Sequence, residues 1–257
     1  MNWRNRFAGI GLLSAVLAAS PVWAQKAPPA PNATAPVKEP ADVPAFKGQN
    51  RTSKDFLARH DGFLRDLKKL DGKCGVLFVG DSITDGWRNK NGKEIFARNY
   101  GSMDPFNIGI GGDRTQHVLW RLDHGEVEGI SPKVAVLMIG TNNLGPNTDD
   151  EIVDGVTKVV KDLNEKLPKT KVLLLGIFPR GASPDDAFRG RIKAINSQIA
   201  HLDDGGTHVK YLDIGNKFLE PDGSLSKDVM PDALHPNEKG YGIWAEAMGP
   251  TLKSMME

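Results

Sequence analysis

Three residue types that together can carry out acyl transfer occur beside turns in this chain. Ser82 follows the apolar run that opens VLFVGDSITDGW, residues 76–87, and Asp232 and His235 lie three residues apart in PDALHP. A serine hydroxyl is a weak nucleophile at neutral pH and needs an adjacent base, usually a histidine oriented by a carboxylate. The short spacing allows a turn in which the carboxylate of Asp232 reaches the imidazole of His235. These residues therefore predict a nucleophile, a base and an orienting acid.

Acyl transfer also requires hydrogen-bond donors for the oxyanion that develops on the carbonyl oxygen. Three candidates follow apolar runs: the backbone N–H of Ser82, the N–H of Gly112 in GIGGDR, and the side-chain amide of Asn142 in GTNN. Losing one such donor typically costs about 3 kcal/mol of transition-state stabilisation. These positions predict an oxyanion hole with one donor from each of three segments.

Each of these residues also has an ordinary structural interpretation. A serine before a helix is commonly an N-cap, because its oxygen accepts a hydrogen bond from a free amide. A Gly-Gly pair is usually a turn, and Asn142 can belong to ordinary loop chemistry. Asp232 and His235 can be a helix cap beside a surface imidazole. Singly, the residues leave both interpretations open; their joint position after successive strands favours the catalytic one.

The elements that would position these residues alternate between strand and helix patterns. Apolar runs predict strands, and the first helical pattern, 53–70, has Ser53 as its predicted N-cap. The alternation predicts one α/β domain over residues 51–257, with a parallel sheet covered on both faces. In such sheets, sites form beyond the carboxyl ends of the strands. The predicted strands are 76–79, 106–108, 134–139, 172–177 and 209–214, and the later helices are 115–122, 149–167, 186–202 and 237–256.

Other polar residues receive supporting roles. Asp81 is predicted to brace the turn that carries Ser82, and His117 to brace the glycine-rich loop after the second strand. The remaining histidines are predicted to be surface or helix-flank residues: His60, His124, His201 and His208.

Composition limits the classes of function. The 257 residues contain 33 basic and 32 acidic side chains, which gives no electrostatic argument for nucleic acid or an anionic membrane surface. The single cysteine, Cys74, permits no intrachain disulfide and no thiolate metal cluster. No HExxH, histidine cluster or EF-hand pattern supports a metal site, and GIGGDR departs from the dinucleotide-binding G-x-G-x-x-G fingerprint.

The N-terminus has the pattern of an export signal. Arg4 and Arg6 precede an apolar stretch, 7–19, and a small residue, Ala24, at a predicted cleavage site. The apolar run is shorter than the roughly 20 residues of a membrane span, although an uncleaved anchor is the alternative. Residues 25–50, rich in Pro and Ala, predict a flexible leader. We expect an exported protein, in the periplasm or the medium, without stable membrane insertion.

Four segments resemble the sequence blocks of the SGNH hydrolase (GDSL-type) superfamily, in the family's order over residues 76–240. They are GDSIT, NIGIGGD, GTNN and DALH. The longer NIGIGGDRTQHVLWRLDHGE, with the later GIFPRG, is similar to the platelet-activating-factor acetylhydrolase catalytic subunits and to secreted bacterial esterases of that type. The resemblance implies a flavodoxin-like three-layer α/β/α sandwich with a five-stranded parallel sheet.

The resemblance also implies roles for the residues named above. Ser82 would be the nucleophile, His235 the base and Asp232 its orienting acid. The oxyanion donors would be Ser82, Gly112 and Asn142, and the family uses no metal and no organic cofactor. The family's acyl pocket matches three further positions, whose bulk indicates a small acyl group such as acetyl: Ile83, Thr141 and Leu234.

Three functions remain open at this stage. The first is an esterase that removes short acyl groups, such as acetyl, from glycans or small esters. The second is a lysophospholipase or thioesterase for longer chains, and the third a non-catalytic binding module, which would be expected to lack a residue of the triad. The resembling subunits form dimers, so a homodimer is one state that the resemblance allows. If His235 must be neutral to act as base, activity should fall below about pH 6.5.

Overall fold

The computed structural model describes residues 39–45 and 51–257, and all structural statements concern that part of the chain. In it, five strands pair in parallel in the order β2-β1-β3-β4-β5. The order reverses between β1 and β3, and open α/β sheets form their binding crevices at such a point. The strands are β1 (Val76–Gly80), β2 (Pro105–Asn107), β3 (Val134–Met138), β4 (Lys171–Leu175) and β5 (Val209–Leu212).

Helices connect the strands, as the alternation predicts. The long helices begin and end within a few residues of their predicted limits, but the eight-residue α3 and the one-turn α2 were not predicted. The first helix begins at Arg51, so Ser53 lies inside the helix and is not its N-cap. The helices are α1 (Arg51–Leu70), α2 (Ser82–Asp85), α3 (Lys93–Tyr100), α4 (Thr115–Asp123), α5 (Asp149–Lys166), α6 (Ala187–Ile199) and α7 (Glu238–Met256).

Alternate side chains of the buried strands point into two separate cores. Leu77 and Val79 pack with the apolar faces of α1, α4, α5 and α6, whereas Val76 and Phe78 pack with α3 and α7. The central strands β1 and β3 are buried on both faces along their whole length, which explains their continuous apolar sequences. The predicted α/β class, with a five-stranded parallel sheet between two helical layers, is confirmed.

A short segment before α1, which we call the strap (residues 39–45), is bound to the domain. Ala41 is fully buried, and its carbonyl oxygen accepts a hydrogen bond of 2.6 Å from the Thr115 hydroxyl at the start of α4. The Ala45 N–H donates to the carbonyl of Gln116 at 3.0 Å, and the Asn147 amide donates to that of Glu39 at 3.3 Å. The flexible leader predicted for residues 25–50 is therefore wrong for the strap.

The predicted signal peptide, residues 1–24, lies outside the described residues. Within the described ranges, none of the helices combines the length and the apolar character that crossing a membrane requires.

Candidate active site

Ser82, His235 and Asp232 form a continuous chain of hydrogen bonds. Ser82 Oγ lies 2.9 Å from His235 Nε2, and His235 Nδ1 lies 2.6 Å from Asp232 Oδ2. When Nδ1 carries the proton and donates it to the carboxylate, the lone pair of Nε2 faces the serine hydroxyl. This geometry can remove the proton from Ser82 as its oxygen attacks a carbonyl.

The turn between β1 and α2 presents the Ser82 side chain. Asp81 is the N-cap of α2, and its Oδ1 accepts a 3.0 Å hydrogen bond from the N–H of Ile83. The capping interpretation of Ser82 is wrong, because Asp81 is the N-cap and the Ser82 hydroxyl is hydrogen-bonded to His235. The predicted bracing role of Asp81 is confirmed.

Asp81 is fully buried beside this turn. Its Oδ2 has no hydrogen-bond partner in the described part of the chain. Burial raises the pKa of Asp81 from its ordinary 3.8 to about 7; the hydrogen bond from Ile83 opposes the shift and the nearby carboxylate of Asp113 adds to it. A carboxyl group that titrates near neutrality therefore adjoins Ser82.

The loop before α7 folds around the carboxylate of Asp232. Its Oδ1 accepts hydrogen bonds from the backbone N–H groups of His235, at 2.7 Å, and Leu234, at 3.1 Å. Ala233 adopts a left-handed conformation with φ 57°, which is uncommon for a residue other than glycine. Burial opposes ionisation of Asp232, but the side-chain and backbone hydrogen bonds from His235 outweigh it and lower the pKa of that carboxyl group.

The predicted oxyanion donors lie in segments that meet at the carboxyl edge of the sheet. The Asn142 amide donates to the carbonyl of Asp113 at 2.8 Å, which places it against the glycine-rich loop. In that loop Gly112 has φ 74°, a conformation that favours glycine. The N–H of Ser82 belongs to the first residue of α2, where a helix supplies no internal acceptor. Their shared use as oxyanion donors stays a prediction.

A buried charge network supports the glycine-rich loop from behind. The guanidinium of Arg121, fully buried in α4, donates to Asp113 at 2.9 Å, to Glu126, and to the carbonyl of Ile108 at 2.8 Å. Burial alone would lower the pKa of Arg121, but the carboxylates of Glu126 and Asp113 raise it. His60 Nδ1 lies 2.7 Å from the other oxygen of Glu126.

His60 is 5% exposed, so its predicted surface position is wrong. The signal for its burial was present in the sequence, because His60 shares the helical spacing of Phe56, Phe63 and Leu67. The predicted bracing role of His117 is confirmed: its Nδ1 accepts a 3.1 Å hydrogen bond from the N–H of Arg114, in the glycine-rich loop.

The three predicted acyl-pocket residues do not line the cleft that opens at Ser82. Ile83 and Thr141 are each 1% exposed, and Leu234 is half-buried against the α7 side of the core. The Ile83 carbonyl accepts a 2.7 Å hydrogen bond from the hydroxyl of Tyr241, and that of Thr141 accepts one of 3.2 Å from Arg180.

A cleft of about 440 Å³ opens over Ser82 and His235. A larger cleft, of about 550 Å³, lies beside α6 and β5 and contains none of the predicted site residues. We therefore identify the candidate active site by the residues that line it and not by its volume. In the described part of the chain, no group of three His, Cys, Asp or Glu side chains could hold a metal ion. The smaller cleft is lined by Arg59, Ser82, Asp85, Gly86, Arg88, Asn89, Asn91, His235, Pro236 and Tyr241.

Comparison with known proteins decides the family. Residues 78–243 match the model of the GDSL-like lipase/acylhydrolase family. The chain belongs to this family. The GDSL hydrolase is 34% identical over 221 residues to platelet-activating factor acetylhydrolase IB subunit alpha1 from Bos taurus, which covers 86% of this chain and 90% of that protein. It is 34% identical over 218 residues to the alpha2 subunit from Rattus norvegicus, covering 85% and 92%.

Solved structures share the fold of the GDSL hydrolase. A GDSL-like lipase from Bacteroides thetaiotaomicron has a TM-score of 0.62 and 19% identity, covering 77% of this chain and 98% of that one. The acetyl xylan esterase AlAXEase has a TM-score of 0.60 and 21% identity, covering 69% and 99%. The predicted superfamily is confirmed, and the chain is a carboxylic ester hydrolase.

Proposed function

We propose that this GDSL hydrolase is a serine esterase that removes short acyl groups, acetyl above all, from glycans or small esters. The observation that carries the proposal is the hydrogen-bonded chain from Ser82 through His235 to Asp232. We also propose that the enzyme is exported, on the pattern of residues 1–24 alone.

In the first step, Ser82 Oγ attacks the ester carbonyl carbon while His235 Nε2 takes the hydroxyl proton. Asp232 stabilises the imidazolium that forms. The carbonyl oxygen becomes an oxyanion, which the N–H groups of Ser82 and Gly112 and the amide of Asn142 stabilise. The C–O bond to the alcohol then breaks, His235 gives its proton to the leaving oxygen, and Ser82 remains acylated.

In the second step, water replaces the alcohol. His235 takes a proton from the water molecule as its oxygen attacks the acyl carbon, and the same oxyanion donors act again. The bond to Ser82 Oγ breaks, the serine recovers its proton, and the acid leaves. The two steps use the ester, the water, and the chain's own side-chain and backbone groups.

Two observations support a short acyl group. Ile83 and Thr141 are almost completely buried beside the catalytic turn, and the cleft over Ser82 has no lining from either residue. Relatives are named as acetylhydrolases, and a structure with the same fold is an acetyl xylan esterase. Extra methylenes pressed against these two buried side chains would be disfavoured, since overpacking a close-packed region costs about 1–3 kcal/mol.

Hydrolysis of p-nitrophenyl acetate and p-nitrophenyl octanoate tests the proposal. We expect the wild type to prefer the acetate in kcat/KM by at least about tenfold, equivalent to about 1.4 kcal/mol. Ser82→Ala should reduce kcat by a factor of about 10³ or more, because the nucleophile is lost. An exposed serine, Ser183, supplies the matched control Ser183→Ala, which should retain full activity. Retention of wild-type activity by Ser82→Ala would refute the assignment, and preference for octanoate would refute the short acyl group.

A further inference from the structure

The cleft over Ser82 carries more positive than negative charge. Two of its lining residues, Arg59 on α1 and Arg88 after α2, share one carboxylate oxygen, Asp85 Oδ1, at 2.8 Å and 2.5 Å. Two guanidinium groups, which stay protonated at neutral pH, therefore face a single carboxylate. The lining has one positive charge in excess.

The two arginines differ in how far their donors are used. Arg88 donates to the backbone carbonyls of Asn107 and Gly109 as well as to Asp85, so its guanidinium fixes the end of β2. The described contacts of Arg59 comprise the hydrogen bond to Asp85 and a cation–π contact, 5.4 Å from the centre of the Phe63 ring. The Arg59 side chain is 42% exposed, and its described hydrogen bond uses Nη2, which leaves Nη1 to donate to a ligand in the cleft. Arg59 is the cation that still has donors to offer.

This cationic wall borders the same space as the nucleophile. Asp85 lies one helical turn after Ser82 on α2. Asp85 Oδ2 and Ser82 Cβ are each 3.9 Å from the point where a Cβ atom on Gly111 would lie. A group bonded to the reacting ester through its alcohol oxygen would lie in the open cleft, because the predicted acyl-pocket residues do not line it. With the acyl group at the predicted acyl-pocket residues, Arg59 would face the leaving group.

We propose that Arg59 binds an anionic group in the alcohol part of the ester, so that the favoured substrates are acylated acids and not neutral acyl esters. The anion would be a carboxylate or a phosphate, which the planar guanidinium can bind through two parallel N–H donors. This inference rests on the proposed esterase function and adds the class of its leaving group.

A matched pair of esters isolates the charge. 4-Acetoxybenzoate carries a carboxylate, and methyl 4-acetoxybenzoate carries a neutral ester at the same position. The second pair is 4-acetoxyphenyl phosphate, which is anionic, and its neutral dimethyl ester. The measured quantity is the ratio of kcat/KM for the anionic ester to that for the neutral ester. We expect Arg59→Gln to lower this ratio by about tenfold, and Arg59→Lys to retain part of it. Sodium chloride at about 0.5 M should lower the wild-type ratio more than that of Arg59→Gln, because salt screens the attraction.

Arg65→Gln is the matched control, because Arg65 is an exposed arginine of the same helix and does not line the cleft. Its ratio should equal that of the wild type. Equal ratios for wild type and Arg59→Gln would overturn the inference, while hydrolysis of the neutral esters would leave the esterase proposal standing. Failure of the wild type to hydrolyse any of the four esters would overturn both. The pair with the larger ratio identifies carboxylate or phosphate as the preferred anion.

Discussion

Asp81 and Ser82 are adjacent residues whose side chains lie in opposite environments. The serine side chain faces His235 at the cleft, and the aspartate is fully buried with one oxygen on the N–H of Ile83. Burial raises the pKa of the Asp81 carboxyl group from 3.8 to about 7. Between these two pH values the folded protein holds a proton on Asp81 that the unfolded chain has released. The stability from this group is fully present below about pH 3.8 and is lost as the pH rises through about 7.

This titration predicts a pH-dependent effect of Asp81→Asn. Asparagine keeps an oxygen for the N–H of Ile83 but cannot ionise. Between pH 5 and pH 8, the free energy of unfolding of the variant should therefore rise relative to that of the wild type by about 2 kcal/mol. Urea denaturation at the two pH values measures it. Asp61→Asn, at an exposed position of α1, should follow the wild type at both values. A constant difference between Asp81→Asn and wild type would contradict the prediction.

The catalytic residues could be predicted because their signals are local. Asp232 and His235 are three residues apart, and Ser82 directly follows a strand. Arg59 could not be predicted as a cleft residue, since it lies 26 positions before Asp85 and its packing direction depends on how α1 crosses the sheet. Which neighbour caps α2 could not be decided from the sequence, because aspartate and serine are both good N-caps and only backbone geometry distinguishes them.

Among the elements, the turn after β3 depends on a glycine. Gly140 has φ 125°, and a Cβ atom there would lie 2.7 Å from Ile177 Cδ1. The turn Thr141–Asn143 that follows carries one of the proposed oxyanion donors, Asn142. A side chain at position 140 would have to displace either this turn or the core beneath it.

We therefore expect Gly140→Ala to lower the free energy of unfolding by about 2 kcal/mol and ester hydrolysis by at least about tenfold. Gly145→Ala is the control, because Gly145 is exposed and a Cβ atom there would have no neighbour within 4 Å. That variant should change stability by less than about 0.5 kcal/mol. Urea denaturation and p-nitrophenyl acetate hydrolysis measure the two effects, and equal behaviour of the two variants would contradict the argument.

Element prediction succeeded where apolar periodicity was strong. The buried strands β1, β3 and β4 and the long helices have regular apolar patterns, whereas α3 is eight residues long and buries only Ile95 and Tyr100. The strap escaped prediction for a different reason. Its Pro and Ala residues have no periodicity, and it is held by backbone groups that pair with Thr115, Gln116 and Asn147. Such contacts leave no signal in the strap's own sequence.

At the scale of the whole molecule, the buried network around Arg121 joins α1, α4 and the glycine-rich loop. The guanidinium contacts Asp113 and Glu126, and Glu126 contacts His60. Burial of charge is costly, so the network stabilises the fold only while the cation and both carboxylates are present.

Arg121→Met should lower the free energy of unfolding by about 3–5 kcal/mol, because it removes the cation that both carboxylates share. Arg98→Met, at an exposed arginine of α3, should change it by less than about 0.5 kcal/mol. Thermal and urea unfolding measure both. A loss below about 1 kcal/mol for Arg121→Met would show that the network does not depend on its central cation.

The strap limits where the N-terminal part of the chain can be cut without loss of a buried contact. Its buried Ala41 lies where a side chain on Gly155 of α5 would collide, since a Cβ atom there would be 2.7 Å from the Ala41 carbonyl oxygen. A proteolytic cut after Ala24 would leave this contact intact. A cut close to α1 would separate the strap from the domain. It would expose the surface of Gly155 and leave the hydroxyl of Thr115 without the carbonyl of Ala41. Within the described residues, the packed part of this hydrolase therefore includes the strap, ahead of its first helix.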